Sequence, residues 1–268
     1  MAALAAAPAF AQSAEAGWNG FYIGGQVGGS EPANDDGSRI LFDTKLDGSF
    51  GDTVNTVTGA DAFSPGFCDG AALGRTPAGG CSEDKGGAEA GVRAGYDWQS
   101  GRWVYGVVLE YTQNDARDSV TAFSTTPAFY TMTRDLDRTL ALRARLGMAF
   151  GANSDWLAYA TAGAARGRID NRFTSSNAAN AFVQSGSSDA NGFQAGMGIE
   201  RKVLENFSVG LEYLYTRLKD DDFRVRAAPG TAPASNPFLI VNPAGTDFRR
   251  SDEDFDVGSL RLTASFRF

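Results

Sequence analysis

The most constraining feature of this chain is its last eleven residues, GSLRLTASFRF, in which apolar and polar side chains alternate. One face carries the apolar members Leu260, Leu262, Ala264, Phe266 and Phe268. A period of two residues predicts a β-strand with one apolar face. Because terminal residues usually fray, a strand that runs to a final phenylalanine favours a barrel whose last strand pairs with its first.

Seven further segments alternate in the same way, which makes eight predicted strands in all. They cover about residues 19–29, 89–98, 103–114, 139–150, 156–173, 191–201, 207–219 and 258–268. No apolar run approaches the roughly 18 residues that a membrane helix needs. If the chain spans a bilayer, it must therefore do so as a closed barrel.

The connections between these segments alternate in length. Short ones are predicted at 99–102, 151–155 and 203–206, and long ones at 30–88, 115–138, 174–190 and 220–256. Short turns at one rim and long loops at the other are typical of an outer-membrane barrel, with the turns in the periplasm. The Pro- and Ala-rich stretch 227–243 is predicted to be loop.

Aromatic side chains cluster at the short-turn ends of the strands. Such a girdle marks one bilayer interface, and its predicted members are Trp18, Trp98, Trp103, Trp156, Phe150, Phe207 and Phe268. Tyr111, Tyr213, Tyr215 and Phe173 are predicted to supply part of the upper girdle.

Alternation alone does not say which face points inward, because a soluble lipocalin-like barrel has its apolar face inside. The opposite face here is rich in small residues and poor in Lys and Glu, as in Gly192, Gly196, Gly198 and the alanines 158, 160, 162 and 164. Small residues suit the narrow interior of eight strands. The predicted fold is therefore an all-β, membrane-spanning, eight-stranded antiparallel up-and-down barrel with its apolar face outward.

Six charged residues fall on the predicted inward face, about five to seven residues from the short-turn ends: Arg93, Glu110, Arg143, Arg145, Glu212 and Arg261. Unpaired charges there would be costly, so we expect one layer of ion pairs near mid-membrane. Glu110 is expected to meet Arg93, Arg143 or Arg145, and Glu212 to meet Arg261. The network is either a polar plug or a selectivity ring in a narrow pore.

The residue inventory argues against several functions. The chain has no histidine, which removes His-dependent hydrolysis and ordinary His-based metal catalysis. We predict no enzyme, catalytic residue, cofactor or metal site. A net charge of −8 argues against nucleic acid as a partner. Acidic groups in the loops, including Asp35-Asp36 and Asp220-Asp221-Asp222, are predicted to form a solvated surface rather than a Ca²⁺ site.

Cys68 and Cys81 both lie in the first long loop. Two thiols are too few for a zinc site, and export favours oxidation. We predict a disulfide that stabilises the fold by roughly 3 kcal/mol in the chain-entropy model.

The first residues predict export. Residues 1–11 are small and apolar and end in Ala9-Phe10-Ala11, an A-x-A cleavage pattern. We expect cleavage after Ala11, leaving residues 12–268 as a single barrel domain.

The stretches GWNGFYIGGQVGG, VYGVVLEYTQN, VGLEYLYTRL and LRLTASFRF resemble small eight-stranded outer-membrane proteins, of the OmpA transmembrane-domain and opacity-protein types. The resemblance implies a bacterial outer-membrane location beside lipid and lipopolysaccharide. It also implies recognition of the terminal Phe266 and Phe268 by the barrel-assembly machinery.

The resulting expectation is a structural barrel that displays its loops. The alternatives are a narrow channel for small solutes, and an adhesin or self-assembling subunit acting through the loops. The second alternative depends on loop residues expected to be exposed: Phe123, Phe129, Tyr130, Phe238, Leu239 and Ile240.

Overall fold

The computed structural model describes residues 17–33 and 37–268, so the predicted leader 1–11 and the Asp35-Asp36 pair lie outside the described residues. Within this part the chain forms sixteen strands and a short 3₁₀ helix at Pro77–Gly79. No helix among the described residues is long and apolar enough to cross a membrane. The strands are β1 Gly20–Pro32, β2 Ile40–Asp43, β3 Gly66–Asp69, β4 Ala71–Ala72, β5 Cys81–Ser82, β6 Gly87–Ser100, β7 Trp103–Asn114, β8 Arg117–Ser124, β9 Ala128–Phe150, β10 Trp156–Ser175, β11 Ala181–Ser185, β12 Asp189–Leu204, β13 Phe207–Lys219, β14 Arg224–Ala228, β15 Thr246–Arg250 and β16 Asp254–Arg267.

Eight of these strands close into an antiparallel barrel in the order β1-β6-β7-β9-β10-β12-β13-β16. The terminal strand β16 pairs with β13 on one side and with β1 on the other, from Tyr22 opposite Arg267 to Pro32 opposite Val257. The Phe268 amide also donates to the Phe21 carbonyl at 3.0 Å. The predicted eight-stranded barrel, closed by its last strand, is confirmed.

The two faces of the barrel wall differ in polarity as predicted. Leu142, Leu262 and Val107 are exposed on the outside, whereas Arg143 and Glu212 are buried in the lumen. An outward-facing apolar band is the surface that outer-membrane barrels present to lipid, so the exterior is suited to a bilayer and the charged side chains are buried away from it.

Strand β10 departs from the predicted assignment of faces. Its alanines at 158, 160, 162 and 164 point outward, while Leu157 and Tyr159 point into the lumen. Leu157 packs in a buried cluster with Trp18, and the Tyr159 hydroxyl donates to Glu212 Oε2 at 2.8 Å. The prediction that these alanines line the lumen was wrong, because the lumen partners of Leu157 and Tyr159 decide the face.

Glycines in the wall make room for the lumen tyrosines. A Cβ at Gly198 would lie 2.5 Å from Tyr159 Cζ, and a Cβ at Gly95 would lie 2.4 Å from Tyr22 Cζ. Real Cβ atoms do not approach so closely. Each ring therefore lies against a strand position that only glycine fits, which explains part of the high glycine content of the wall.

The long connections are folded, and together they form what we call the cap (residues 37–86, 115–137, 169–188 and 220–253). β9 and β10 run on past the barrel, β8 pairs with the extension of β9, and β3 adds to β8. A second sheet, β11-β14-β15-β2, comes from three different connections. The long connections predicted as loops exist, but they contain paired strands instead of being structureless.

The cap has an apolar core of its own. Phe248 is fully buried there, with its ring 5.0 Å from that of Phe42 and 5.2 Å from that of Phe238. The core is built from Ile40, Phe42, Val54, Ala62, Phe63, Val120, Ala122, Ala128, Tyr130, Met132, Phe223, Val225, Ala227, Phe238 and Phe248. A core of this size explains why loops of this length are ordered.

Several loop residues expected to be exposed are therefore buried. Phe123, Tyr130, Phe238 and Leu239 are buried, Phe129 is half-buried and Ile240 alone of the six is exposed. Phe173 packs against the cap core instead of joining an upper girdle. The stretch 227–243, expected to be loop, begins within β14 and is anchored through Phe238.

The predicted disulfide between Cys68 and Cys81 is confirmed. It joins β3 to β5 with the two Cα atoms 6.4 Å apart and closes a segment in which the cysteines are 13 positions apart. This segment lies within residues 37–86, the part of the cap between the barrel strands β1 and β6.

Candidate functional site

The candidate site is the barrel lumen, where five of the six predicted charges meet in one cluster. Glu110 and Glu212 occupy its centre, and each accepts hydrogen bonds from Arg93 and Arg143. Arg261 Nη1 lies 2.8 Å from Glu110 Oε1, and its Nε donates to Glu212 Oε1 at 2.9 Å. We call this cluster, with Glu89, the upper ionic layer.

Strand register explains why these charges meet. Arg93 stands directly opposite Glu110 on β6 and β7, and Glu212 stands opposite Arg261 on β13 and β16. Glu89 completes the layer, with its Oε1 3.5 Å from Arg261 Nη1. Among the described residues, three arginines thus face three glutamates, so the formal charges of the layer balance.

Arg145 lies in a second cluster, the lower ionic layer, which sequence reasoning missed. Its Nη2 is 3.0 Å from Glu200 Oε2, and Arg267 Nη2 is 2.9 Å from Asp97 Oδ2. All four side chains are at most 5 % exposed. The expected single layer was wrong, because Arg145 is two residues closer than Arg143 to the short-turn end.

The missed residues Asp97, Glu200 and Arg267 could have been found from the two-residue alternation of their strands. Asp97 lies four positions after Arg93 and Arg267 six positions after Arg261, so each shares the inward face of its strand. Glu200 likewise follows the inward Gly196 and Gly198. Tyr159 joins the layers, since its hydroxyl donates to Glu212 and its ring lies 4.4 Å from the Arg145 guanidinium carbon.

Trp18 closes the short-turn end of the lumen and does not belong to the girdle. Its side chain is fully buried, and its Nε1 donates to the Ser154 carbonyl at 2.9 Å. The guanidinium of Arg267 lies 4.8 Å from the ring centre, and the Lys202 ammonium lies 5.0 Å from it. The prediction for Trp18 was wrong, because this residue precedes β1 and turns inward.

The other six predicted girdle residues lie on the outside, at the ends of their strands. Trp98, Trp103 and Phe268 are exposed, and Phe150, Trp156 and Phe207 are half-buried. Trp98 stacks on Tyr105 with ring centres 5.9 Å apart. Phe266 and Phe268 are both exposed on the exterior, and their role as an assembly signal stays a prediction.

An apolar layer lies on the extracellular side of the ionic layers. Its large members are Leu136, Ile169, Leu218, Phe255 and Val257, all buried and in contact. Val257 is four positions before Arg261 on β16, which places this layer roughly 13 Å further along the strand. Above it, Arg134 pairs with Asp118 and Asp252 where the cap meets the barrel.

The side chains of the lumen pack against one another, and its buried arginines are compensated by carboxylates. Buried guanidinium groups with two or three carboxylate neighbours are held in fixed geometry. In the part of the chain that the structure describes, positive and negative charges balance in each ionic layer, so neither layer presents an excess charge that would attract one kind of ion.

The model of the family described as "Outer membrane protein beta-barrel domain" matches residues 1–268. Among solved structures, OprG from Pseudomonas aeruginosa is 13 % identical, with 93 % of this chain and 97 % of that chain covered and a TM-score of 0.50. The neisserial surface protein NspA is 10 % identical, with 92 % and 97 % covered and a TM-score of 0.36. The outer membrane protease OmpT from Escherichia coli is 9 % identical, with 93 % and 97 % covered and a TM-score of 0.39.

Identities this low concern the fold alone, and the different descriptions of these structures assign no specific role to this chain. No curated protein matches the sequence. The family match over the whole length agrees with the eight-stranded wall, the apolar exterior and the buried charges described above. The chain belongs to the outer membrane protein β-barrel domain family, and its place is the bacterial outer membrane.

Proposed function

We propose that this protein is a structural barrel that holds a folded cap at the cell surface and conducts no solute through its lumen. The observation that carries the proposal is that side chains fill the lumen at four successive levels. From the short-turn end these are Trp18, the lower ionic layer, the upper ionic layer and the apolar layer. A continuous water path would have to displace buried ion pairs at two of those levels.

The cost of opening such a path supports the closed lumen. Breaking a buried ion pair by removing one partner costs about 3–5 kcal/mol, and the two ionic layers contain several such pairs. Eight strands leave an interior just wide enough for side chains to fill. A plug is therefore favoured over a selectivity ring.

Display is the task that remains for a closed barrel with a large folded cap. The proposed partners are outer-membrane lipid, lipopolysaccharide and, during insertion, the barrel-assembly machinery. A non-enzymatic role is part of the proposal and is supported by the lack of histidine in the chain.

Planar-bilayer recording tests the closed lumen. We expect no steady single-channel openings from the wild-type protein, because the ionic layers block the path. The Glu110→Ala variant and the lipid-facing Val107→Ala variant on the same strand serve as a matched pair. Steady wild-type openings whose size changes in Glu110→Ala, but not in Val107→Ala, would establish the channel alternative.

A second candidate function, adhesion or self-association through the cap, is favoured by a specific observation. Val57, Leu73, Val183 and Val241 are exposed apolar side chains of the cap. Crosslinking on intact cells separates the two candidates: a pure display protein is recovered as a monomer, and an assembling subunit is recovered with a copy of itself or with a partner.

A further inference from the structure

The disulfide-containing segment of the cap, residues 68–84, contacts β8 at both of its ends, and we call this contact the neck. Its outgoing end is held by the Gly70 amide, which donates to the Ser119 carbonyl at 2.7 Å. Its returning end is held by Asp84, whose Oδ1 accepts from the Ser119 amide at 2.8 Å. Next to it, Lys85 and Arg117 exchange two backbone hydrogen bonds of 3.0 and 2.8 Å. Both ends of the segment thus contact the same short stretch of β8.

Three carboxyl groups meet at this neck. Oxygens of Asp69, Asp84 and Asp118 all lie within 4.8 Å of one another. They come from the end of β3, the returning chain and β8, so the strand pairing and the disulfide bring them together. Like charges this close repel strongly unless one of them is neutralised.

The other charged groups around the neck determine which of the three carboxyl groups stays ionised. Asp118 is buried, and its carboxylate is paired with Arg134 of β9 at 2.7 Å and with Arg250 of β15 at 2.8 Å. Although burial opposes ionisation, Arg250 and Arg134 hold the pKa of Asp118 below its ordinary value. Asp118 therefore keeps its charge and presents it to Asp84.

The pKa of Asp84 shifts in the opposite direction from that of Asp118. Burial, followed by the negative charges of Asp118 and Asp69, raises its pKa to about 6, against the hydrogen bond from Ser119 and the charge of Arg250. Its neighbours in the chain, Glu83 and Lys85, are exposed. Within the described ranges 17–33 and 37–268, the charged groups that act most strongly on Asp84 are thus Asp118, Asp69 and Arg250.

We propose that Asp84 is a proton-operated latch that holds the disulfide-containing segment against β8 in mildly acidic surroundings and loosens it at neutral pH. When protonated, Asp84 keeps its bond from Ser119 and can donate its own proton to a neighbouring carboxylate. When ionised, it adds a negative charge beside Asp69 and Asp118, and the neck is pushed apart. Exposure of the segment, with Leu73 and Arg75 near its far end, then depends on pH.

The direction in which the stability of the neck changes with pH follows from the linkage between protonation and folding. The folded neck raises the pKa of Asp84 above the ordinary value of 3.8 to about 6. The stability this confers is present at low pH and is lost as the pH rises through about 6. With those two pKa values, the opening equilibrium of the neck increases roughly tenfold between about pH 5 and about pH 7.5.

Amide hydrogen exchange tests the latch on the full chain in lipid, in buffers that contain EDTA so that only the proton concentration changes. The reporting amides are Gly70 and Ser119, with rates corrected for intrinsic exchange. We expect roughly tenfold less protection at about pH 7.5 than at about pH 5. In Asp84→Asn the side-chain oxygen still accepts from Ser119 without a charge, so high protection is expected at both pH values.

Two further variants make the test specific. Glu83→Gln removes one carboxylate next in the chain and is expected to behave like the wild type. Asp69→Asn removes one repelling charge and is expected to move the transition to lower pH. Equal protection of the wild type at both pH values, or an unchanged pH dependence in Asp84→Asn, would overturn the proposal.

Discussion

Glu212→Ala is expected to lower the free energy of unfolding by about 3–5 kcal/mol, the usual cost of leaving buried charges unpaired. Glu212 Oε1 lies 2.9 Å from Arg93 Nη2 and 2.9 Å from Arg261 Nη2, and Tyr159 donates to its other oxygen. The substitution leaves the three buried arginines of the upper ionic layer facing two glutamates, Glu110 and Glu89, so one positive charge is no longer compensated. Equilibrium urea unfolding in lipid vesicles, followed by tryptophan fluorescence, measures the change.

Glu205→Ala is the matched control, since Glu205 is an exposed carboxylate in the short turn between β12 and β13. A surface change of this kind is expected to shift stability by no more than about 0.5 kcal/mol. The double variant Glu212→Ala/Arg261→Ala is expected to lose less than the sum of the single losses, because the two residues share one network. Equal stability of Glu212→Ala and Glu205→Ala would contradict the description of the ionic layers.

Phe248→Ala is expected to unfold the cap while leaving the barrel closed. Phe248 is fully buried, and its ring lies 5.0 Å from Phe42, 5.2 Å from Phe238 and 6.0 Å from Tyr130. Removal of a buried phenylalanine ring costs about 3–5 kcal/mol, and the cap core is a separate cluster from the lumen. Limited proteolysis of folded protein in lipid is expected to cut the cap of this variant rapidly.

Phe67→Ala provides the same substitution at an exposed position of the cap. Its cap is expected to resist protease as well as that of the wild type, since little apolar area is lost from the core. Protection of the Phe248→Ala cap to the same degree would mean that the connections do not depend on a common core.

The barrel strands were predictable from sequence because lipid on one side and a packed lumen on the other impose a period of two. This contrast ends where the strands leave the bilayer. The predicted strand at 139–150 is therefore only the lower half of β9, which begins at Ala128. In β8 six consecutive residues are buried, so no alternation marks it as a strand.

The cap core also depends on contacts that local pattern does not reveal. Phe42 and Phe248 are separated by most of the chain, yet they pack edge to face. The sequence around Phe42 does not predict a contact with Phe248, and the sequence around Phe248 does not predict a contact with Phe42. The local sequence of an exposed loop resembles that of a loop in a folded cap. The two differ in their long-range packing, which local sequence does not reveal.

Two of the wrong predictions in the barrel concern the face toward which a side chain points, which the local sequence does not determine. Alanine is small enough for either face of the wall. The alternation on β10 therefore does not determine which set of side chains points into the lumen. The direction follows from Leu157 and Tyr159, which meet Trp18 and Glu212. Trp18 itself shares its level with the exterior tryptophans but lies before the first strand, where no pleat decides its orientation.

A nitroxide accessibility measurement on β10 tests most directly whether lipid lies outside and a packed lumen inside. Single spin labels at positions 161 and 162 are compared in lipid vesicles without reductant, with the native cysteines paired in their disulfide. Ala162 is exposed and Thr161 is buried. The label at 162 is expected to be mobile and relaxed by lipid-dissolved oxygen, and the label at 161 to be immobile and shielded from both oxygen and a water-soluble nickel complex. The reverse pattern, or access of the nickel complex to position 161, would contradict the account.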